Sequence, residues 1–309
     1  MNSWQSILSE HIQQSAKPLV VILGPTASGK TDFSIEVARV IDKLSVTRPE
    51  IINADSRQLY RHLDIGTAKI TEEEKWFDCA HHKQRIPHYL FDVLDPKEEV
   101  TVAGYKEWTE RCIDDIHARS NVPVLVGGSM LYISAVTDGY VFSGRGKKVT
   151  KPIPYDLCIF GLHWPREELV KRIHQRTAKL LCFPSLACPS EPWRSGEGGA
   201  GEGDTWISEI ESLLQRGYTP SDPGMKSYGY REIAEWILKG KDPKTFPALE
   251  EEINKKTCQY AKRQMTWWRR DKRIFWLQCG CEPLYTNLQG NPYPTGIPRC
   301  IERVRHPHS

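Results

Sequence analysis

The run Pro18 to Leu23 is continuously apolar, short, and bounded by Lys17 and Gly24, which predicts a buried strand. It leads directly into Gly24-Pro-Thr-Ala-Ser-Gly-Lys30-Thr31, and apolar positions then recur at Phe33, Ile35, Val37, Ala38 and Ile41 with the spacing of an amphipathic helix. Further strands are expected at Ile51-Ile52, over His88 to Leu94, at Pro123 to Val126 and over Tyr155 to Leu162. A helix is expected over Val102 to Arg119, and another after Pro165 carrying Leu169, Ile173 and Leu180. Helical patterns return near Trp206 to Arg216, Tyr230 to Leu238 and Leu249 to Arg270, before a last strand at Ile274 to Leu277. Strands alternating with helices predict an α/β fold with a mainly parallel sheet flanked by helices.

This pattern divides the chain. Residues 1–17 are a polar, helix-like N-terminal extension, and 18–181 form the α/β core. The Gly-, Pro- and Ser-rich stretch 182–204 reads as a flexible surface loop. Residues 205–278 form a helical part that completes the core, and 279–309 are a Pro-rich polar tail expected to be poorly ordered. No internal repeat is present.

With 309 residues, 39% of them apolar and 26% charged, the composition is that of a globular protein. No apolar run approaches the roughly 20 residues that span a bilayer, and the start lacks a secretory leader, so a soluble cytoplasmic protein without a membrane partner is expected. Nine scattered cysteines fit thiols better than a disulfide framework. Cys279, Cys281, Cys300, His306 and His308 match no standard zinc spacing. The net charge of +3 announces no partner, but Lys255 to Arg273 holds eight Lys or Arg against Asp271 alone, interleaved with Tyr260, Trp267 and Trp268. That suits either a nucleic-acid surface or a solvated helix face.

The glycine loop carries the clearest chemistry. Glycines let successive N–H groups wrap a phosphate, and the following helix N-terminus adds partial positive charge. Gly24, Pro25, Thr26, Ala27, Ser28, Gly29, Lys30 and Thr31 make such a P-loop, with Lys30 reaching phosphate oxygens and Thr31 helping to hold Mg²⁺. The expected fold is therefore P-loop NTPase-like, with Asp55 delivered beside the loop by the second strand. Kinases, NTPases and other transferases share this cradle, so the loop alone does not choose the reaction.

Three more stretches narrow it: Asn53-Ala-Asp55-Ser56-Arg57-Gln58-Leu-Tyr60, Asp64-Ile-Gly66-Thr-Ala-Lys69 and Gly127-Gly128-Ser129-Met-Leu-Tyr132. With Gly229-Tyr230-Arg231-Glu232 and Gln259-Tyr-Ala-Lys262-Arg263-Gln264-Met-Thr-Trp267, in order along the chain, they resemble the tRNA dimethylallyltransferase (isopentenyltransferase) family. The resemblance implies transfer of a dimethylallyl group from dimethylallyl diphosphate to N6 of the adenosine 3′ of the anticodon, with the P-loop holding the diphosphate and Mg²⁺ as cofactor. It implies Asp55 as the base on the adenine amine, with a Mg²⁺ ligand or a helix N-cap as the other readings of that residue. Ser129 stands where the family usually has threonine near the reacting amine. The implied contacts to the tRNA anticodon stem-loop are Asp55, Ser56, Arg57, Gln58, Ser129, Lys226, Gly229, Tyr230, Arg231, Lys262, Arg263, Gln264, Trp267 and Arg269. A monomer is expected. Tyr60, Trp267 and Trp268 are each either stacking platforms or core.

The chain departs from the family in the middle. Only Val141 to Pro154 stands where a helical insertion is usual, and Arg145 is a positional guess for an arginine early in that insertion. A weakened copy, a compact variant relying on its basic C-terminal helix, and an enzyme acting on free AMP stay open, as do a nucleotide kinase and a non-catalytic RNA-binding remnant.

Overall fold

The computed structural model describes residues 3–44, 47–78, 83–142, 148–181 and 205–280. The polar start forms helix α1 (Trp4–Gln14), opened by Ser3, whose Oγ accepts a hydrogen bond from the N–H of Ser6 at 3.3 Å. Strand β1 (Pro18–Leu23) is buried at every position, and helix α2 (Lys30–Lys43) follows the glycine loop. Strand β2 (Pro49–Asn53) comes next, then a hairpin of β3 (Trp76–Asp78) and β4 (Lys83–Arg85), and the short β5 (His88–Tyr89). Helix α3 (Val102–Ala118), β6 (Val122–Gly127) and helix α4 (Met130–Thr137) precede a second hairpin, β7 (Tyr140–Phe142) with β8 (Lys148–Thr150). Strand β9 (Asp156–His163), helices α5 (Arg166–Leu181), α6 (Trp206–Gln215), α7 (Tyr230–Leu238) and α8 (Phe246–Trp268), and strand β10 (Ile274–Gln278) complete the order.

The main sheet has the order β10-β9-β1-β6-β2-β5, and every pairing in it is parallel. Side chains alternate across a strand, so β1 serves two cores. Leu19, Val21 and Leu23 face one that includes α3, α4, α6, α7 and α8, whereas Val20 and Ile22 face α1 and α2 through Trp4, Leu8, Phe33 and Val37. Because the strands are covered on both faces they read as continuous apolar runs, which is why the sequence exposed them. The C-terminal helices thus share the sheet's own core, and β10 extends its edge.

One expectation changes, and three features were not anticipated. The strand expected over His88 to Leu94 stops at Tyr89, because Leu90 and Asp92 adopt left-handed φ of 61° and 56°; Leu94 only bridges to Tyr60. Helix α4 gave no amphipathic signal, since Ile133 to Thr137 are buried around its whole circumference. The hairpins β3–β4 and β7–β8 are the other two. Residues 182–204, most of the 279–309 tail and the 143–147 stretch containing Arg145 lie outside the described residues, as do Cys281, Cys300, His306 and His308; Cys279 is buried. Among the described residues no metal-holding group of His, Cys, Asp or Glu occurs, and no helix is long and apolar enough to cross a membrane.

The turn after β6 is closed by backbone contact. A Cβ on Gly127 would lie 2.1 Å from the carbonyl carbon and oxygen of Ala54, which itself accepts the N–H of Ser129 at 3.0 Å. Gly127→Ala is expected to destabilise the protein by about 1–3 kcal/mol in urea unfolding. Gly104→Ala, whose Cβ meets nothing closer than 3.4 Å within α3, is expected to be neutral or to stabilise by about 0.5–1 kcal/mol.

Candidate active site

At the carboxyl edge of β1, β2 and β6 lies a cavity of about 320 Å³. In an open parallel sheet this edge is where three loops converge without side chains of the sheet blocking them. The glycine loop supplies Thr26, Ala27 and Lys30, the loop after β2 supplies Asp55, Ser56 and Arg57, and the loop after β6 supplies Ser129. Helix α5 closes one wall with Ile173, Arg176, Thr177 and Leu180, and α8 closes another with Thr257, Tyr260 and Gln264.

The loop takes its shape from Ala27 and Gly29, with φ of 61° and 84°. Lys30 begins α2 and turns back, its Nζ donating to the carbonyls of Gly24 at 3.1 Å and Pro25 at 2.8 Å. Three side chains from elsewhere hold the loop from outside. Gln264 Oε1 accepts the N–H of Thr26 at 2.9 Å, Trp164 Nε1 donates to the carbonyl of Ser28 at 3.0 Å, and Arg172 Nε donates to that of Ala27 at 2.9 Å. Arg172 also lies over the Trp164 ring at 4.2 Å. Arg176, one turn on, reaches Thr26 Oγ1 at 3.5 Å. The Oγ of Ser28 is buried and has no hydrogen-bond partner among the described residues.

The electrostatics point to an anion. Burial pushes the Lys30 ammonium down to about 8, with Arg176 acting in the same direction and Asp55 against both. Burial also lowers Arg176, again opposed by Asp55. Two enclosed cations share one carboxylate, so a bound anion relieves a standing cost.

Asp55 is fixed by its own turn. Asn53 Oδ1 accepts the N–H of Asp55 at 2.8 Å, and Asp55 Oδ1 accepts the N–H of Arg57 at 2.9 Å. Its second oxygen accepts nothing from the described residues. Ser129 is 7% exposed, and its Oγ accepts the N–H of Ser56 at 2.8 Å. Tyr260 crosses from α8 to donate to the carbonyl of Gly128 at 3.2 Å. Gln58 Nε2 donates to the carbonyls of Thr67 and Ala68 at 3.1 Å each, joining two of the sequence motifs.

The other expected RNA contacts separate into two groups. Lys226, Arg231, Lys262, Arg263, Trp267 and Arg269 are exposed, and Arg263 donates to the Tyr228 hydroxyl at 2.6 Å. Gly229, Tyr230 and Gln264 are buried instead, with Tyr230 and Gln264 lining the cavity. Gln264 is 1% exposed because both ends of its amide bind backbone, the second donating to Gly128 at 2.7 Å. Tyr230 turns its hydroxyl onto Glu209, and Gly229 backs onto the Trp206 ring. Tyr60 and Trp268 are core, while Trp267 is 44% exposed with its Nε1 donating to Ser134 Oγ at 3.0 Å. The basic stretch is also less free than its composition. Lys256 pairs with Glu232 and Glu252, and Arg273 with Asp138 and Asp271.

Arg172, Arg176 and Tyr260 were not singled out as site residues from the sequence. The one available signal was an arginine pair at i and i+4 beside the apolar positions Ile173 and Leu180, which also describes an ordinary amphipathic helix.

The IPP transferase family model matches residues 58–153 and 203–271, more than half of the chain. The chain belongs to the IPP transferase family. It is 32% identical to tRNA dimethylallyltransferase 2 of Geotalea uraniireducens, over 84% of this chain and 92% of that protein. It is 29% identical to the tRNA dimethylallyltransferase of Pelotomaculum thermopropionicum, over 94% of this chain and 99% of the relative. That match runs over 357 residues against the 309 of this chain, so the relative carries residues without a counterpart here. Among solved structures, the tRNA isopentenylpyrophosphate transferase of Bacillus halodurans superposes with a TM-score of 0.65 at 27% identity, covering 85% of this chain and 90% of that one. The Staphylococcus epidermidis tRNA isopentenylpyrophosphate transferase gives a TM-score of 0.64 at 27% identity, covering 85% and 93%. Helix α5, with Arg172 and Arg176, falls between the segments matched by the family model.

The lowered Lys30 has a measurable consequence. As pH rises through about 8 the ammonium loses its charge, so calorimetric affinity for inorganic diphosphate is expected to fall across that range. Lys30→Arg keeps the charge and is expected to remove the inflection.

Proposed function

We propose that this chain transfers a dimethylallyl group from dimethylallyl diphosphate to N6 of the adenosine 3′ of the tRNA anticodon. The observation that carries the reading is the meeting of two half-buried cations, Lys30 and Arg176, with Asp55 and Ser129 in one cavity. The allylic carbon–oxygen bond breaks, and the electron pair leaves on the diphosphate. The N–H groups of the glycine loop, Lys30 and Arg176 stabilise that charge where it develops. The adenine amine attacks the same carbon, and its proton passes to the second oxygen of Asp55, which the turn to Arg57 leaves available. Ser129 and Tyr260 border the amine.

Thr31 at the start of α2, with the diphosphate oxygens, would hold Mg²⁺, a hard cation suited to such ligands. Bound there, the ion would supply further neutralisation of the leaving group.

Lys262, Arg263 and Arg269 lie exposed on or just beyond the helix that carries Gln264 into the glycine loop. A polyanionic acceptor fits that arrangement better than a free nucleotide. Single-stranded anticodon-loop bases are the part of tRNA that can be unstacked into a closed cavity at modest cost.

Mass spectrometry of an anticodon stem-loop RNA, and separately of AMP, after incubation with dimethylallyl diphosphate and Mg²⁺ tests the reading. A prenylated RNA and unmodified AMP are expected; transfer to AMP alone, or to neither, refutes it. Lys30→Ala is expected to lower transfer by about 10²–10³-fold. Asp55→Asn is expected to lower it by about 10²–10⁴-fold while diphosphate binding persists. Replacing both Lys262 and Arg263 by alanine is expected to reduce the salt slope of RNA binding by about 1.5.

A further inference from the structure

Helix α5 gives the cavity a direction. Arg172 and Arg176 address the glycine loop, while Leu180 lines the cavity one turn farther on, about 6 Å along the axis. Trp206 lines the cavity as well, from the first turn of α6, which packs against α5. It therefore bounds the cavity where α5 and α6 meet.

The indole is held by two backbones. A Cβ on Gly66 would lie 1.9 Å from Trp206 Nε1, and one on Gly229 would lie 1.9 Å from Cη2. Tyr230 meets the ring edge-on at 5.6 Å, and Trp206 is 4% exposed. A ring wedged this way is a fixed wall. Its Nε1 has no hydrogen-bond partner among the described residues, and a buried donor left unpaired costs stability.

We propose that Trp206 sets the length of the allylic tail, resting on the prenyl-transfer reading above. The tail extends from the diphosphate past Ile173 and Leu180 towards the indole. A dimethylallyl group ends short of the ring. A geranyl group, longer by one isoprene unit, collides with it, and the glycine contacts leave the ring nowhere to move. The indole has more ring atoms than that isoprene unit has carbons, so removing it opens enough room.

The test compares dimethylallyl and geranyl diphosphate, by calorimetric binding and by kcat/KM for transfer to the stem-loop RNA. Hydrophobic walls discriminate about 10–200-fold per methylene, so Trp206→Ala and Trp206→Leu are each expected to shift the preference towards geranyl by at least about tenfold. Trp206→Phe, which keeps most of the wall, is expected to shift it less. If the alanine variant does not fold, the leucine variant decides. A wild type that accepts both donors equally, or an unchanged binding preference in the folded variants, overturns the proposal. Failure of the wild type to transfer dimethylallyl at all would instead remove the reading on which it rests.

Discussion

The site is organised around a charge imbalance. Lys30 and Arg176 are both enclosed at the glycine loop, and each is disfavoured by burial, while Asp55 is the carboxylate that opposes both shifts. Burying like charges together is unfavourable, and removing either would leave Asp55 less compensated. The surrounding fold must supply enough stability elsewhere to keep them there. It does so through a sheet covered on both faces, whose two apolar cores meet at β1 immediately before the loop. The cations are thus forced upon the site by rigid neighbours, and an anionic ligand is the partner that settles them.

Rigidity at the loop comes from outside it. Gln264 spans from Thr26 to Gly128 and so ties α8 to the turns after both β1 and β6. Trp164, after β9, and Arg172, on α5, occupy two more carbonyls of the loop. A glycine loop alone is conformationally permissive, and these three contacts convert it into a preorganised cradle. The helical C-terminal part is consequently inseparable from the chemistry: the helix that exposes Lys262 and Arg263 also positions the phosphate site.

Much of this was legible in the sequence, and the parts that were not share a cause. The strands β1, β6 and β9 announced themselves as apolar runs because both faces of the sheet are covered. The P-loop and Asp55 were legible because their chemistry is local, carried by neighbours along the chain. Arg176 as a site residue, and the hold of Gln264 on the glycine loop, were illegible because each depends on which loop the side chain meets across the fold, and their types alone suggest surface groups. Gln264 lay inside a motif that pointed to RNA, yet its amide is consumed by two backbone partners. The strand expected to Leu94 failed for a comparable reason. The carbonyl of Leu90 is taken by Asn53 Nδ2 at 2.9 Å, and left-handed φ at Leu90 and Asp92 turns the chain back to pair Leu94 with Tyr60.

Glu209 shows how the sequence motifs depend on one another. Its carboxylate accepts the N–H groups of Asp64 at 2.8 Å, Ile65 at 2.6 Å and Gly66 at 3.3 Å, together with the hydroxyl of Tyr230 at 2.5 Å. Burial raises this carboxyl and the four hydrogen bonds oppose the shift. One acid on α6 therefore holds the Asp64–Gly66 turn against the start of α7, and the space left between Gly66 and Gly229 is the slot that Trp206 fills. The glycines of both motifs are then required by the same ring. Their spacing in sequence gives no hint of this, since the constraint passes through a residue belonging to neither motif.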